Sequence, residues 1–288
     1  MPMHDDEIEV APGTVRALVD AQFPRWRGLP IERVGRHGTV NAIFRVGDRL
    51  TARFPLRPTA RETLEAEAEA ARELNGRTRF ATPEPVVIGA PGFGYPMSWS
   101  VQTWLPGVVA TELDPGGSEA YGRDLADFVV DVRALDPRGR TFRGHGRGGD
   151  LTDHDEWMAT CLRHHDRDGL RRMWQRLREL PRGAGPDTMT HGDLIPGNVL
   201  VDGGRLAGVL DVGGLGVADP ALDLVAAWHL LEDGPRQAFR ERLGCDDLEW
   251  ERGRAWAFEQ AMGVVWYYRE TNPPMSRMGQ RTLDRLTR

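Results

Sequence analysis

The sequence contains no lysine, so all 37 of its basic residues are arginine. It has only two cysteines, Cys161 and Cys245, which is too few for a disulfide framework and is typical of a cytoplasmic protein. No apolar run approaches the length that a membrane-spanning helix needs. The acidic stretch Met1–Val10 lacks the charge and apolar pattern of a signal peptide. The sequence therefore predicts neither a disulfide-stabilised scaffold nor a membrane partner.

The composition is that of a folded globular protein. The chain has 288 residues, of which 40% are hydrophobic and 28% charged, and this size favours one large domain or two coupled lobes. Its net charge of −6 argues against a nucleic-acid partner, because binding to a phosphate backbone requires a basic surface. An acidic chain would suit a cationic ligand, although so small a charge does not decide the matter.

The first part of the chain is predicted to be rich in strands. After a leading helix over Thr14–Phe23, short runs of apolar and β-branched residues alternate with turn signals. One helix, Thr59–Leu74, lies among them and is ended by Asn75-Gly76. The predicted strands are Ile31–Arg36, Val40–Val46, Arg49–Phe54, Pro85–Ile88 and Met97–Trp104. We interpret residues 1–104 as an N-terminal lobe.

The remainder of the chain, residues 105–288, is predicted to be mainly helical. Tyr121–Leu135 has the periodicity of an amphipathic helix, and Asp136–Gly149 reads as a loop. A helical stretch over Asp153–Leu180 is interrupted near Asp168-Gly169. Two short strands, Val199–Val201 and Leu206–Leu210, flank a turn, and further helices follow over Leu222–Leu231, Arg236–Leu243, Leu248–Arg269 and Ser276–Leu286.

The motif that carries chemistry is His191-Gly192-Asp193-Leu194-Ile195-Pro196-Gly197-Asn198, followed after a predicted hairpin by Asp211-Val212-Gly213. Phosphoryl transfer needs a carboxylate that orients the attacking hydroxyl and takes its proton, a role that suits Asp193. It also needs oxygen ligands for Mg²⁺, and Asn198 and Asp211 can supply them. The spacing from Asp193 to Asn198 equals that in the H-R-D-L-x-x-x-N loop of protein kinases, and Asp211 stands where D-F-G would begin.

The segment Thr190–Leu224 resembles the signature region of the aminoglycoside phosphotransferase family, the antibiotic kinases related to choline kinase. That family has approximately H-G-D-x-x-x-x-N, then D-x-G or D-x-D, then D-P-x-x-D, and this chain has the last block as Asp219-Pro220-Ala221-Leu222-Asp223. The resemblance implies an α+β, two-lobed protein-kinase-like fold. An antiparallel sheet lobe with one helix would bind the nucleotide, and a larger helical lobe would bind the substrate.

The resemblance also implies roles for the acids and the histidine of this segment. His191 would be a scaffold residue bonded to backbone, Asp219 a helix N-cap, and Asp223 a partner for the backbone of the catalytic loop. The competing interpretation is that H-G-D is a chance turn and that the acids only cap helices. Three acidic blocks, in order and at kinase spacing, favour the catalytic interpretation.

The family likeness places a nucleotide site in the first lobe. Gly35–Asn41, with Gly38 and Thr39, would cover the phosphates, since glycines let the backbone approach phosphate oxygens closely. The family generally has lysine on the next strand as the phosphate cation, and here Arg53 is the only candidate. Arginine keeps its charge and forks onto phosphate oxygens, but its reach differs from that of lysine.

Three further contacts complete the expected nucleotide site. The helix partner of Arg53 is expected among Glu65, Glu67 and Glu69, and the spacing to Leu74 favours Glu67. Backbone groups of Thr103 and Leu105 would contact the base. No P-loop motif, G-x-x-x-x-G-K-[ST], is present.

The sequence alone does not identify the molecule that accepts the phosphate. Carboxylates that could pair with the ammonium groups of an aminoglycoside are Asp150, Asp153, Asp155, Glu156, Asp166, Asp168, Glu259 and Glu270, although solvated helix faces explain most of them. A heavy aromatic load near the end of the chain, at Trp256, Phe258, Trp266, Tyr267 and Tyr268, would mostly be core but could line the roomier pocket of a macrolide kinase.

The predicted activity is transfer of the γ-phosphate of ATP or GTP, with Mg²⁺, to a hydroxyl of a small molecule, foremost an aminoglycoside-type antibiotic. The alternatives are a macrolide kinase, a kinase of a choline- or homoserine-like metabolite, and a non-catalytic nucleotide-binding pseudokinase. A cytoplasmic monomer or homodimer is expected.

Overall fold

The computed structural model describes residues 7–35, 40–144, 146–165 and 168–288. The chain packs as two compact units. The first is formed by the residues up to Asn75 together with Thr82–Pro106, and the second by Gly76–Ala81 together with Gly107–Arg288. Assignment of nucleotide binding to residues 1–104 and of acceptor binding to residues 105–288 stays a prediction.

The first unit is built on a five-stranded antiparallel sheet whose strands are ordered β1-β2-β3-β5-β4. Its core forms where alternate residues of β2 (Ala42, Phe44 and Val46) turn inward, as the period of two in a half-buried strand requires. The elements of this unit are α1 (Pro12–Gln22), β1 (Ile31–Arg33), β2 (Asn41–Val46), β3 (Leu50–Pro55), α2 (Arg61–Leu74), β4 (Pro85–Gly89) and β5 (Trp99–Thr103). Both predicted helices are confirmed, and a strand lies at each predicted position, although β1 ends at Arg33 and Arg36 lies outside the described residues.

The second unit is mainly helical and carries two small sheets. Its helices are α3 (Glu119–Arg133), α4 (Asp155–Arg163), α5 (Asp168–Leu177), α6 (Ala226–Leu230), α7 (Asp233–Leu243), α8 (Asp247–Tyr267) and α9 (Pro273–Thr287). Its strands are β6 (Val108–Val109), β7 (Thr188–Thr190), β8 (Val199–Asp202), β9 (Arg205–Val209) and β10 (Gly216–Ala218). In the described part of the chain, none of the helices combines the length and apolar character needed to cross a membrane.

The predicted hairpin in this unit is confirmed as β8 and β9. The residues of its turn, Gly203 and Gly204, have φ values of 54° and 76°, which a type I′ turn requires and which glycine adopts without strain. β6 adds to β8, and the segment before Thr82 lies along β9 through a hydrogen bond from Val209 N to Ala81 O of 2.9 Å. This contact and the ion pairs of Arg79 with Asp127 and Asp131 join residues 76–81 to the second unit.

β7 pairs with β10 in an antiparallel ribbon, with Thr190 opposite Gly216. The two strands are only three residues long, and the sequence did not predict them. The chain leaves β7 directly into the His191–Asn198 motif and enters β10 just after Asp211-Val212-Gly213. The ribbon and the hairpin together therefore fix both ends of the two loops that carry the candidate catalytic residues.

Candidate active site

His191 is fully buried and holds the candidate catalytic loop by both ring nitrogens. Its Nε2 lies 3.0 Å from the carbonyl oxygen of Leu210, and its Nδ1 accepts the N–H of Asp193 at 3.3 Å. Since Nδ1 accepts a hydrogen bond, the proton is on Nε2, which donates to Leu210. The predicted scaffold role of His191 is confirmed.

Asp223 binds the backbone of the same loop through both of its carboxylate oxygens. Its two carboxylate oxygens accept the N–H groups of His191 at 2.7 Å and of Gly192 at 2.8 Å. Complete burial raises the pKa of this carboxyl above its usual range, and the two backbone N–H groups oppose that rise by stabilising the ionised form. The expected partnership between Asp223 and the catalytic-loop backbone is confirmed.

Asp219 is the N-cap of a short 3-10 helix, Pro220–Val225, where it accepts the N–H of Ala221 at 3.0 Å. Its other oxygen lies 2.5 Å from Nε of the buried Arg252. The predicted capping role is confirmed. The ion pair with Arg252, which comes from the distant helix α8, had no signal in the sequence.

Asp193 and Asn198 are in direct contact. Nδ2 of Asn198 donates to the Asp193 carboxylate oxygen Oδ2 at 2.9 Å and to its backbone oxygen at 3.0 Å. Both acceptors are oxygens, so the amide nitrogen must face Asp193 and the amide oxygen Oδ1 is left for another partner. The Asp193 side chain is 40% exposed and is therefore accessible to solvent.

Asp211 follows β9 in a left-handed conformation, with φ 54° and ψ 52°. This costs a non-glycine residue about 1 kcal/mol or more, and such outliers cluster at functional sites. The preceding peptide is held by two residues of the catalytic loop, because Leu210 donates its N–H to the Asn198 carbonyl at 2.7 Å and accepts from His191. The hydrogen bond from Leu210 to Asn198 therefore fixes the backbone of Asp211 relative to that of Asn198.

Asn198 and Asp211 are the residues that would hold a magnesium ion, and this role stays a prediction. Among the residues that the structure describes, no cluster of three or more His, Cys, Asp or Glu side chains could hold a metal ion. Mg²⁺ prefers one or two protein oxygens, with water and substrate phosphates completing its coordination. The free amide oxygen of Asn198 and the carboxylate of Asp211 match that preference.

In the first unit, Arg53 and Glu67 form the expected pair. Arg53 lies on β3 between the core residues Ala52 and Phe54, so that its side chain leaves the opposite face of the strand. Its Nη1 is 3.6 Å from the Glu67 carboxylate on α2. The role of this pair in binding phosphate stays a prediction.

The other expected nucleotide contacts stay predictions. Gly38 and Thr39 lie outside the described residues. Thr103 ends β5, and its N–H donates to the carbonyl of Glu84 at 2.9 Å, so a contact with a base would fall to its carbonyl group. Leu105 follows the strand and is half-buried.

Two of the carboxylates that were candidates for binding a cationic substrate form hydrogen bonds to other residues of the protein. Asp155 accepts hydrogen bonds from Arg178 and Trp174, and the Arg178 guanidinium above all lowers its pKa. Glu259 is buried and lies 3.0 Å from Nδ1 of His154. Asp166 lies outside the described residues, whereas Asp150, Asp153 and Glu156 are exposed.

The aromatic residues near the end of the chain divide between core and surface. Trp256 and Phe258 are fully buried, as expected for core residues. Tyr267 is 42% exposed, and together with Trp157 of α4, which is 39% exposed, it belongs to an aromatic cluster. The contacts of this cluster run from Trp157 to Trp266 and on through Tyr267 to Tyr268.

Arg147 is a site residue that the sequence did not reveal. Its Nη2 lies 3.6 Å from Oδ1 of Asp193. It comes from the segment predicted only as a loop, 46 residues before Asp193, and no motif or periodicity marks it.

The His154–Glu259 pair makes stability depend on pH. The hydrogen bond that the His154 ring donates to the Glu259 carboxylate is the main reason that the His154 pKa is raised above 6.5. A raised pKa means that the stabilisation is fully present below about pH 6.5, the unfolded value, and is lost as pH rises through the folded value. We expect the wild type to exceed Glu259→Gln in free energy of unfolding by more at about pH 6 than at about pH 8.5. Denaturant titrations of both proteins at both pH values measure this, and a difference that does not change with pH would contradict it.

The comparisons with known proteins show the family to which the chain belongs. The model of the phosphotransferase enzyme family matches residues 32–256, more than three-quarters of the chain, and the chain therefore belongs to that family. Among curated proteins it is similar to an aminoglycoside 3′-phosphotransferase of Streptomyces fradiae, with 46% identity over 72 residues, or 22% of this chain and 27% of the relative. A second aminoglycoside 3′-phosphotransferase, from Escherichia coli, is 35% identical over 71 residues, or 25% of this chain and 26% of the relative. These matches span about a quarter of each relative's length.

Solved structures share the fold over almost the whole chain. The GDP complex of aminoglycoside 2′-phosphotransferase-IIIa superposes with a TM-score of 0.71 at 17% identity, covering 95% of this chain and 97% of that one. A macrolide 2′-phosphotransferase from Brachybacterium faecium gives a TM-score of 0.64 at 20% identity, covering 95% and 98%. The predicted α+β, two-lobed protein-kinase-like fold is confirmed.

Proposed function

We propose that this protein is a nucleotide-dependent O-phosphotransferase that moves the γ-phosphate of ATP or GTP to a hydroxyl of a small molecule, foremost an aminoglycoside-type antibiotic. The observation that carries the proposal is the joint geometry of three residues. Asn198 donates to the Asp193 carboxylate, and the peptide before Asp211 is bonded to the backbone of Asn198. A candidate base and two candidate metal ligands are thus held by one hydrogen-bonded framework.

Asp193 is the proposed general base. The acceptor hydroxyl would donate a hydrogen bond to its exposed carboxylate, lose its proton to it, and attack the γ-phosphorus in line with the departing nucleoside diphosphate. Asn198 and Asp211 would hold Mg²⁺, which neutralises charge on the phosphates. Arg53, which is paired with Glu67, would bind the phosphates of the nucleotide.

The aminoglycoside proposal is supported by the curated relatives and by the exposed acids Asp150, Asp153 and Glu156, which could pair with ammonium groups. A macrolide acceptor is the second candidate, because the exposed rings of Trp157 and Tyr267 offer apolar surface for a less charged ligand. A metabolite kinase remains a third. A pseudokinase is disfavoured, because a module that only binds nucleotide has no need of Asp193. We further propose a cytoplasmic monomer or homodimer that does not act on nucleic acid or membranes.

Nucleotide consumption with Mg²⁺ tests the function. Purified protein would be given ATP and GTP separately with aminoglycosides, macrolides and metabolite alcohols, and phosphorylated product would be detected by mass. Turnover with aminoglycosides supports the proposal, and turnover with one of the other classes alone replaces the acceptor assignment. Nucleotide binding without transfer to any acceptor would favour the pseudokinase.

Arg53 gives a separate prediction about the nucleotide. We expect Arg53→Ala to weaken Mg-nucleotide binding by about 10- to 100-fold, because a charge-assisted hydrogen bond contributes about 1.5–3 kcal/mol. Arg53→Lys should retain most of the affinity, since it keeps the charge. Calorimetric titration measures both, and Arg33→Ala, which changes an exposed arginine on the same sheet, is the matched control. Unchanged affinity in Arg53→Ala would remove the phosphate role.

A further inference from the structure

Arg147 approaches the proposed catalytic base from outside the catalytic loop. Its Nη2 is 3.6 Å from Asp193 Oδ1, while the other carboxylate oxygen of Asp193 is bonded to Asn198. Among the residues that the structure describes, it is the only cation paired with Asp193. The inference below rests on the proposed function, in which Asp193 receives the acceptor hydroxyl.

The catalytic loop itself has no free positive charge. From Thr190 to Asn198 it reads Thr-His-Gly-Asp-Leu-Ile-Pro-Gly-Asn, and both ring nitrogens of His191 are already used. The position of the arginine in the H-R-D motif is taken here by Gly192. Any side-chain cation beside Asp193 must therefore come from elsewhere in the fold, and Arg147 is placed there.

The backbone around Arg147 is fixed on both sides. The carbonyl of Gly146 is 3.3 Å from Nε2 of His154, that of Gly148 accepts the N–H of Asp219 at 3.0 Å, and that of Gly149 accepts Nη2 of Arg252 at 2.9 Å. Gly148 has φ 95°, and a Cβ there would lie 2.6 Å from the Cβ of Ala218, so only glycine fits. The backbone on both sides of Arg147 is thus anchored to other parts of the second unit.

The guanidinium is nevertheless only loosely bound. A separation of 3.6 Å is longer than a hydrogen bond, and the Arg147 side chain is 35% exposed. A guanidinium has five N–H donors, so most of those of Arg147 remain available to an anion. The fully buried Arg252 is held more tightly. Its guanidinium forms hydrogen bonds to Asp219, Leu180 and Gly149, as expected for an arginine with a structural role.

We propose that Arg147 is a catalytic residue that contacts the phosphoryl group during its transfer. A hydroxyl bonded to Asp193 would lie about 2.8 Å from the carboxylate, and the phosphorus it attacks about 3–3.5 Å further on. The equatorial oxygens, which carry the charge of the transferring group, then fall within reach of a guanidinium beside Asp193.

The step balances without any additional reactant. The hydroxyl proton passes to Asp193, the oxygen–phosphorus bond to the acceptor forms, and the bond to the nucleoside diphosphate breaks with its electron pair leaving on that product. Once Asp193 is protonated, its attraction for Arg147 falls, while the phosphoryl oxygens keep their negative charge. Arg147 can thus exchange one anionic partner for the other as the reaction proceeds.

The first test is kinetic and compares Arg147→Ala, Arg147→Lys and the control Arg143→Ala, which changes an exposed arginine of the same loop. Removing a preorganised donor to transition-state charge costs about 10²- to 10³-fold in kcat. We expect that loss in Arg147→Ala with little change in KM for the nucleotide, partial recovery in Arg147→Lys, and partial rescue of Arg147→Ala by added guanidinium ion. A purely structural role would lower the thermal midpoint and would not be rescued.

The second test needs no knowledge of the acceptor. Mg-ADP with aluminium fluoride imitates the transferring phosphoryl group, and its binding can be followed by calorimetry and fluorine NMR. We expect Arg147→Ala to bind Mg-ADP as the wild type does, but to lose about 10²-fold or more in affinity for the fluoride complex. If Arg147→Ala retains that affinity, Arg147 does not contact the phosphoryl group and the proposal is wrong.

The two tests separate this inference from the proposed function. A wild-type protein that binds no Mg-nucleotide would refute the enzyme assignment, and the inference with it. A wild type that turns over and forms the fluoride complex, with Arg147→Ala doing both equally well, would refute only the role of Arg147.

Discussion

Asp193→Asn is expected to lower kcat by about 10³-fold while leaving the affinity for Mg-nucleotide nearly unchanged, since general-base catalysis contributes about 10²- to 10⁴-fold. An amide has nearly the shape of the carboxylate and can still bond to Asn198, but it cannot take a proton from the acceptor hydroxyl. The side chain is 40% exposed, so the substitution should not destabilise the fold. Steady-state kinetics of the variant measure the loss of kcat, and calorimetric titration measures its affinity for Mg-nucleotide.

The matched control is Asp202→Asn, which changes an exposed aspartate on the neighbouring hairpin strand β8. It removes the same charge from the same unit, so a general electrostatic effect on a cationic acceptor would appear in both variants. Loss of kcat in Asp193→Asn alone assigns the effect to proton transfer. Undiminished turnover in Asp193→Asn would show that Asp193 is not the base.

The elements that the sequence predicted well are those whose signal is local. Strand alternation and the Gly203-Gly204 turn gave the β8–β9 hairpin, and helical periodicity gave α8 to within a residue or two at its ends. Asp193 and Asn198 were also found from a local signal, their spacing in the motif, whereas the hydrogen bond between their side chains was seen only in the structure. β6, β7 and β10 were missed because strands of two or three residues are too short for periodicity to show, and their pairing is decided by distant chain segments.

Long-range ion pairs were equally invisible in the sequence. Arg147 is one of 37 arginines, and its place beside Asp193 depends on hydrogen bonds to Gly146, Gly148 and Gly149 from three other parts of the second unit. The same holds for Glu259, which the sequence offered as a candidate for substrate binding but which is buried against His154. The charge of a side chain can be read from its type, whereas its availability depends on the packing around it.

The absence of lysine has a consequence in each unit. At Arg53, which is paired with Glu67, the planar fork of the guanidinium would suit the oxygens of adjacent phosphates. At Arg147 the same geometry would suit the flat array of equatorial oxygens in the transition state. If both proposals hold, the chain uses arginine for ground-state binding of the nucleotide and again for binding of the transferring group, and the two contributions can be separated by measuring Kd and kcat.

Asp223→Asn is expected to cost about 2–4 kcal/mol in free energy of unfolding and at least about 10-fold in kcat. The buried carboxylate accepts two backbone N–H groups, from His191 and Gly192, and an amide can accept only one of them while its own NH₂ opposes the other. A buried donor left without an acceptor costs about 1–3 kcal/mol. The loop that carries Asp193 also loses one of its two hydrogen bonds to residue 223. Denaturant unfolding gives the first quantity, and kinetics well below the thermal midpoint give the second.

Asp124→Asn separates the two effects, because Asp124 is also a buried carboxylate of the second unit. It is bonded to the Arg205 guanidinium and to the N–H of Leu206, at the end of β9 away from Asp211. We expect a comparable loss of stability in Asp124→Asn with kcat nearly unchanged, because the catalytic loop keeps its anchor. Equal losses of kcat in the two variants would mean that activity follows global stability, and that Asp223 has no particular hold on the position of Asp193.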